Sequence, residues 1–226
     1  PWLYLKKALE SSRTFPPKGE ESVLIMPYHS QSAVPDVSNL HSKLARAKAF
    51  RDAIGSVRST VCLHSVDFLD PTARNAFKEH GFDVTCIGST AGLAWSPSGG
   101  RVTALTSLFN LMSQHTHYLT DSVGTSLFYA VNMGMKIGIF PKIRDLIELN
   151  QMIQGAYSDE IDKQLNYDYI EDHFRNAKDT FVSSAEFLQI TNQILGADSL
   201  LEPSALKETL DYRSGIYPKE IGIEPW

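Results

Sequence analysis

The sequence predicts a doubly wound α/β fold, with a parallel sheet of about five strands covered by helices on both faces and followed by a helical C-terminal region. Three observations carry that expectation. Short apolar runs recur without the polar alternation of a half-exposed strand, which is the pattern of strands buried on both faces. Stretches whose apolar residues recur at helical spacing separate these runs. Small and polar residues follow the ends of the runs, where ligands bind in open parallel sheets.

Residues 3–11 read as a helix, and Phe15-Pro16-Pro17-Lys18-Gly19 leads from it to the first apolar run, 22–26, which Pro27 closes. Over 38–54, Leu40, Leu44, Ala47, Phe50 and Ile54 recur at three- and four-residue steps, and Gly55 ends that helix. A strand at 59–63 follows. Next come a helix over 71–80, with proline in its first turn and Gly81 after it, and a strand at 82–87. A helix over 101–114 precedes a strand at 117–120, and the alternation continues through Ile139. From 143 onward the pattern is helical, at 143–154, 158–176, 183–195 and 203–212, with an extended tail at Tyr217-Pro218-Lys219-Glu220. Residues 1–142 are therefore expected to form the sheet domain. Residues 143–226 are expected to form a helical extension packed on it, either capping the sheet or crossing back to a partner domain.

The composition narrows the function. With 226 residues, 42% hydrophobic and 21% charged, the chain can build one substantial core. The 26 acidic residues outnumber the 21 basic ones, giving a net charge of −5, so nucleic acid is not an expected partner and any phosphate contact must be local. Cys62 and Cys86 sit in apolar runs without Cys-x-x-Cys spacing, and no histidine pair suggests zinc, so no metal is expected. Both read as core thiols of a reduced, cytoplasmic protein. No apolar run approaches the ~20 residues that cross a bilayer, and the N-terminus lacks the pattern of a signal peptide, so a soluble chain is expected. The opening Pro1-Trp2-Leu3-Tyr4-Leu5, without an initiator methionine, reads as a fragment or as the continuation of an upstream N-terminal domain.

The most informative segment is Asp121-Ser122-Val123-Gly124-Thr125-Ser126, between a strand and a short helix. Small residues at a helix start leave backbone N–H groups without intrahelical partners, and the helix dipole adds positive charge there, so Ser122, Gly124, Thr125 and Ser126 are candidate phosphate ligands. Capping of the helix by Asp121 or Ser122 is the simpler alternative. His29, in Pro27-Tyr28-His29-Ser30, follows the first strand and can serve proton transfer or a phosphate. His64 and Asp67 follow the second strand at His-x-x-Asp spacing, with Asp67 a candidate base and His64 and Asp121 candidate acceptor contacts. A cap by Asp67 or Asp70 ahead of Pro71 competes with that role. Gly88, in Gly88-Ser89-Thr90-Ala91-Gly92, lets backbone approach a ligand, and Ser98-Gly99-Gly100-Arg101 can bring a guanidinium to a diphosphate. Neither loop has the spacing of a dinucleotide or ATP motif, and no Gly-x-Ser-x-Gly elbow makes Ser122 a hydrolase nucleophile.

The stretch Thr120-Asp121-Ser122-Val123-Gly124-Thr125-Ser126-Leu127-Phe128-Tyr129-Ala130, continuing through Gly134 to Ile139, resembles the nucleotide-sugar-binding half of GT-B glycosyltransferases, which have two facing Rossmann-like domains. It looks most similar to bacterial surface-polysaccharide transferases and to sialyl- and Kdo-transferase-like enzymes. Where many members place a glutamate for the donor ribose, this chain has Phe128-Tyr129-Ala130. The resemblance implies a uridine diphosphate or cytidine monophosphate sugar donor, a glycan or lipid-linked acceptor, and no resident cofactor. It gives His29 a "PHS"-like position, and it implies a cytoplasmic site of action that includes the inner membrane face. It also implies that one such domain binds nucleotide but needs a facing domain for turnover. A nucleotide-sugar epimerase and a non-catalytic Rossmann-like binding or assembly module are the alternatives.

Overall fold

The computed structural model describes residues 2–12, 19–27, 40–87, 100–121, 124–140, 180–202 and 205. Five strands, β1 (Ser22–Ile25), β2 (Arg58–Leu63), β3 (Asp83–Cys86), β4 (His117–Thr120) and β5 (Lys136–Ile139), form one sheet in the order β3-β2-β1-β4-β5. Every pairing among them is parallel. In register, Leu24 of β1 lies between Thr60 of β2 and Tyr118 of β4. The central strands β1 and β4 are buried at all four residues, whereas the edge strand β3 begins with exposed Asp83 and is half-buried along the rest. This is the burial that continuous apolar runs foretell in a sheet covered on both faces.

Alternate residues of each strand feed two separate cores, because side chains point to opposite faces at a period of two. On one face Leu24, Cys62, Tyr118 and Ile137 pack with Trp2 of α1 (Trp2–Ser12), Phe109 and Met112 of α5 (Gly100–Ser113), and Leu127, Phe128 and Val131 of α6 (Thr125–Asn132). On the other, Val23, Ile25, Val61, Leu63 and Leu119 pack with Phe50 and Ile54 of α2 (Leu40–Ile54) and Phe77 of α4 (Pro71–Glu79). A short helix, α3 (Ser65–Leu69), separates β2 from α4. A final helix, α7 (Leu188–Leu195), lies beyond a 3₁₀ turn over Ser184–Phe187.

The elements depart from sequence expectation in a few places. Residues 64–67 were expected to lie in a rim loop, but Ser65–Leu69 is helical, and five residues are too few to display a helical period. Residues 183–187 do not begin α7, because the Ser183 hydroxyl accepts from the Ala185 N–H and starts a 3₁₀ turn instead. Gly196, in the left-handed region at φ 72°, stops α7 as glycine does most cheaply. The helices expected over 143–154, 158–176 and 203–212 and the tail at 217–220 lie outside the described residues.

The chain also returns to the sheet in a way that no periodicity announces. Val182 pairs antiparallel with Ile137, donating to its carbonyl at 2.8 Å and accepting from its N–H at 3.0 Å, and so covers part of the outer edge of β5. Gly138 makes the approach possible: a Cβ there would stand 2.7 Å from both Leu119 Cδ1 and the Thr180 carbonyl oxygen. Cys62 is buried, and burial, with the neighbouring Cys86 thiol, pushes its own thiol up to about 12. Cys86, expected in the core, is only half-buried, since β3 is an edge strand. Among the described residues, no helix is long and apolar enough to cross a membrane.

Candidate functional site

The strand order puts the topological switch between β1 and β4. The chain leaves β1 through α2 on one face toward β2, and leaves β4 through α6 on the other face toward β5, so the two connections part at the carboxyl edge, the place where open parallel sheets bind ligands. That edge is tied together by hydrogen bonds. The Met26 N–H donates to the Leu119 carbonyl at 2.9 Å, the Thr120 hydroxyl donates to the Met26 carbonyl at 2.8 Å, and the Phe140 N–H donates to the Thr120 carbonyl at 2.7 Å.

Asp121 stands directly beyond β4 and is 4% exposed. Burial of a carboxylate requires a partner, and Arg46 supplies it from α2. Its Nε donates to Asp121 Oδ2 at 2.5 Å, and its Nη2 pairs with the same oxygen. One helical turn earlier, Lys43 pairs with Asp70. Asp70 also accepts from the Thr72 N–H at 2.8 Å as the N-cap of α4. The Lys43 ammonium, aided by that N–H, holds the Asp70 carboxyl below its ordinary value against the opposing effect of burial. The first turns of α2 thus bring two cations to the carboxyl side of the sheet.

Three residues past Asp121, Gly124 is the N-cap of α6 in extended conformation and makes no side-chain cap. Its carbonyl accepts from the Leu127 N–H at 3.0 Å. The N–H groups of the first helical turn point out of the helix for want of earlier carbonyls. Thr125 is exposed, and among the described residues a Cβ at Gly124 would meet no atom within 4 Å. The Ser126 hydroxyl is turned the other way, sharing a 2.7 Å hydrogen bond with the buried Tyr118 hydroxyl. Burial is the main reason the Tyr118 phenol is pushed well above its ordinary pKa.

His64 is exposed at the end of β2, its carbonyl accepting from Phe68 N–H at 2.8 Å, and Asp67 lies in the first turn of α3. Both belong to the carboxyl side, two strands from β4, which is roughly 10 Å along the edge. His29, Gly88 and Ser122 lie outside the described residues. The described part of the candidate site is therefore Asp121, Gly124 and Thr125, with His64 and Asp67 further along the rim.

Sequence reading missed Arg46 and Lys43. A signal for them exists: in a parallel α/β fold the helix after the first strand starts at the carboxyl edge, so cations in its first turns lie near the rim. Two buried histidines belong to the opposite edge. His115 Nδ1–H donates to the Leu111 carbonyl at 2.9 Å while Nε2 accepts from the Thr60 hydroxyl at 3.0 Å, and His117 packs edge-on against Phe181. Among the described residues no group of three or more His, Cys, Asp or Glu side chains is placed to hold a metal ion. No family model matches the chain, and no match to it is found among curated proteins or solved structures.

Proposed function

We propose that the carboxyl edge at β1 and β4 binds the phosphate of a nucleotide-activated sugar, and that the chain is a glycosyltransferase, or its donor-binding domain, of the kind that builds bacterial surface polysaccharide. The observation that carries the reading is the start of α6 at the switch point, with an extended glycine cap that no other described residue crowds. Such a turn offers N–H donors and positive dipole to an anion. The likeness of the 120–139 stretch to GT-B donor domains supplies the reaction class.

In this reading Ser122, Gly124 and Thr125 hold donor phosphate, and Ser126 contributes through its N–H, since its hydroxyl is engaged with Tyr118. His29 assists the phosphate or the leaving group, Gly88 contributes to donor binding, and Asp67 acts as base toward the acceptor hydroxyl, with His64 a secondary acceptor contact. Departure of the nucleotide is eased by preorganised donors rather than by a resident cofactor. A glycan or lipid-linked acceptor would be met in the cytoplasm or at its membrane face.

Thermal unfolding with uridine and cytidine mono- and diphosphates, against the uncharged nucleosides, tests the reading. Selective binding to the folded state adds stability by mass action, about 2.7 kcal/mol at one hundred times Kd. A shift with phosphorylated ligands alone is expected. Equal behaviour of all ligands and the unliganded protein at millimolar concentration would overturn the reading.

A further inference from the structure

The backbone of β5 bonds to β4 through alternate residues. The Lys136 N–H donates to the Thr116 carbonyl at 3.1 Å and the Phe140 N–H to the Thr120 carbonyl at 2.7 Å, with Gly138 turned the same way between them. Ile137 and Ile139 therefore direct their N–H and carbonyl groups away from the sheet, since these groups alternate sides along a strand. Val182 takes both groups of Ile137, and among the described residues no hydrogen bond reaches the outward groups of Ile139. The cover over 180–182 is thus one residue pair on a four-residue strand, held in addition by the Phe181 ring, whose centroid lies 4.7 Å from that of His117. Outward backbone groups on an edge strand are a template for a further strand.

We propose that the β5 edge is an interface for a second copy of this chain, and that the strap over 180–182 guards it in cis. Every pairing within the sheet is parallel, yet Val182 meets Ile137 antiparallel. Antiparallel is also the polarity in which a two-fold axis pairs an edge strand with its own copy. The register follows from the outward groups. With Gly138 on the axis, Ile137 of each copy exchanges both hydrogen bonds with Ile139 of the other, which satisfies the outward groups of both strands together. Gly138 then faces Gly138 of the second copy in the close, non-hydrogen-bonded position, where Cα atoms stand about 4.5 Å apart and no side chains collide. Lys136 falls opposite Phe140 of the second copy instead of another lysine, so like charges do not oppose one another. While the strap is down the place is taken, because the Thr180 carbonyl oxygen stands 2.7 Å from where a Gly138 Cβ would be. Strap and second copy therefore compete for the same backbone groups.

The test releases the strap and leaves β5 unaltered. Val182→Pro removes the N–H that donates to the Ile137 carbonyl. The full chain is followed by sedimentation velocity, with amide hydrogen exchange resolved at Ile139. Wild type is expected to sediment as a monomer and to show no concentration dependence at Ile139, whereas Val182→Pro is expected to form a dimer whose fraction rises with concentration. In that variant the Ile139 amide is expected to exchange at least tenfold more slowly at about 200 µM than at about 5 µM, because the dimer bonds its N–H. Phe181→Ser withdraws the ring from His117 without touching β5. It is expected to shift both readouts in the same direction to a smaller degree, and it decides the matter if Val182→Pro does not fold. Monomeric behaviour of the deciding variant across that range would overturn the inference. So would a dimer in which Ile139 exchange does not slow, or a wild type whose Ile139 amide already shows the full concentration dependence with the strap intact.

Discussion

At the scale of single residues, Arg51 ties together the ends of several elements. Its guanidinium donates to the carbonyls of His80 (2.9 Å), Gly55 (2.9 Å), Val57 (3.3 Å) and Gly81 (3.0 Å) and to the Ser59 hydroxyl (3.0 Å), and its Cζ lies 4.0 Å from the centre of the Phe82 ring. It therefore places positive charge at the C-terminal ends of α2 and α4, where helix dipoles favour it. Lysine can reproduce the charge but not the planar fork. Arg51→Lys is expected to cost about 2 kcal/mol, measured by urea unfolding, since several charge-assisted bonds go unmade. Thr191 presents the opposite case. Among the described residues its hydroxyl is fully buried and has no hydrogen-bond partner, beside a cavity of about 10 Å³ lined by Leu127, Phe128, Val131, Ile137, Phe187 and Ile190. Thr191→Val keeps the shape and removes the orphaned polar group, so it is expected to raise stability by about 1 kcal/mol; a lower unfolding midpoint would refute this account.

At the scale of elements, the starts of α6 and α4 make contrasting predictions. Gly124 has a φ of −144°, which any residue adopts, and a Cβ there would meet no described residue within 4 Å. Gly124→Leu is therefore expected to leave the unfolding temperature nearly unchanged while blocking the turn, removing the stabilisation by nucleotide diphosphate. Retained nucleotide affinity in that variant would take the turn out of the site. The α4 start depends on a titrating group instead. The Asp70 carboxyl, capping Thr72 N–H and paired with Lys43, titrates below its ordinary value. Its charged form thus adds stability that is complete above the unfolded-chain value, about 4, and fades as pH falls through the lower folded value. Asp70→Asn keeps an acceptor for the cap and abolishes the titration, so the loss of stability between pH 6 and pH 3 is expected to be smaller in the variant. Unfolding free energies at the two pH values measure the difference, and an equal loss in both proteins would show that Asp70 does not contribute.

Across the whole molecule, α1 fastens elements that are distant in sequence. Trp2 stacks on Tyr129 at 4.1 Å, tilts against Phe109 at 5.8 Å and donates to Asn132 Oδ1 at 3.1 Å. Lys6 donates to the Asn132 carbonyl at 2.7 Å, and the Tyr4 hydroxyl accepts from Leu201 N–H at 2.8 Å. One helix thus anchors α5, the end of α6 and the chain beyond α7. Trp2→Ala removes a ring that is 2% exposed and leaves a cavity between α5 and α6, with an expected cost of about 3 kcal/mol or more. Hydrogen exchange should also quicken in both helices; quickening confined to α1 would mean that α1 is docked on the domain without bracing it.

Much of this architecture could be read locally. The short apolar run over 22–26 announces a strand buried on both faces, because burial of a strand is written in its own side chains. The Asp70-Pro71-Thr72 sequence announces a capped helix for the same reason. By itself the sequence determined the parallel α/β class and a polar carboxyl rim holding Asp121, Gly124 and Thr125. The tertiary structure alone decided that β1 lies beside β4, that Arg46 reaches Asp121, that Ser126 turns inward to Tyr118, and that Val182 closes on Ile137. Those outcomes depend on which distant surfaces meet. An arginine on a helix surface or a lone valine has the same local pattern whether its partner is solvent or another strand, so only the folded chain supplies the partner.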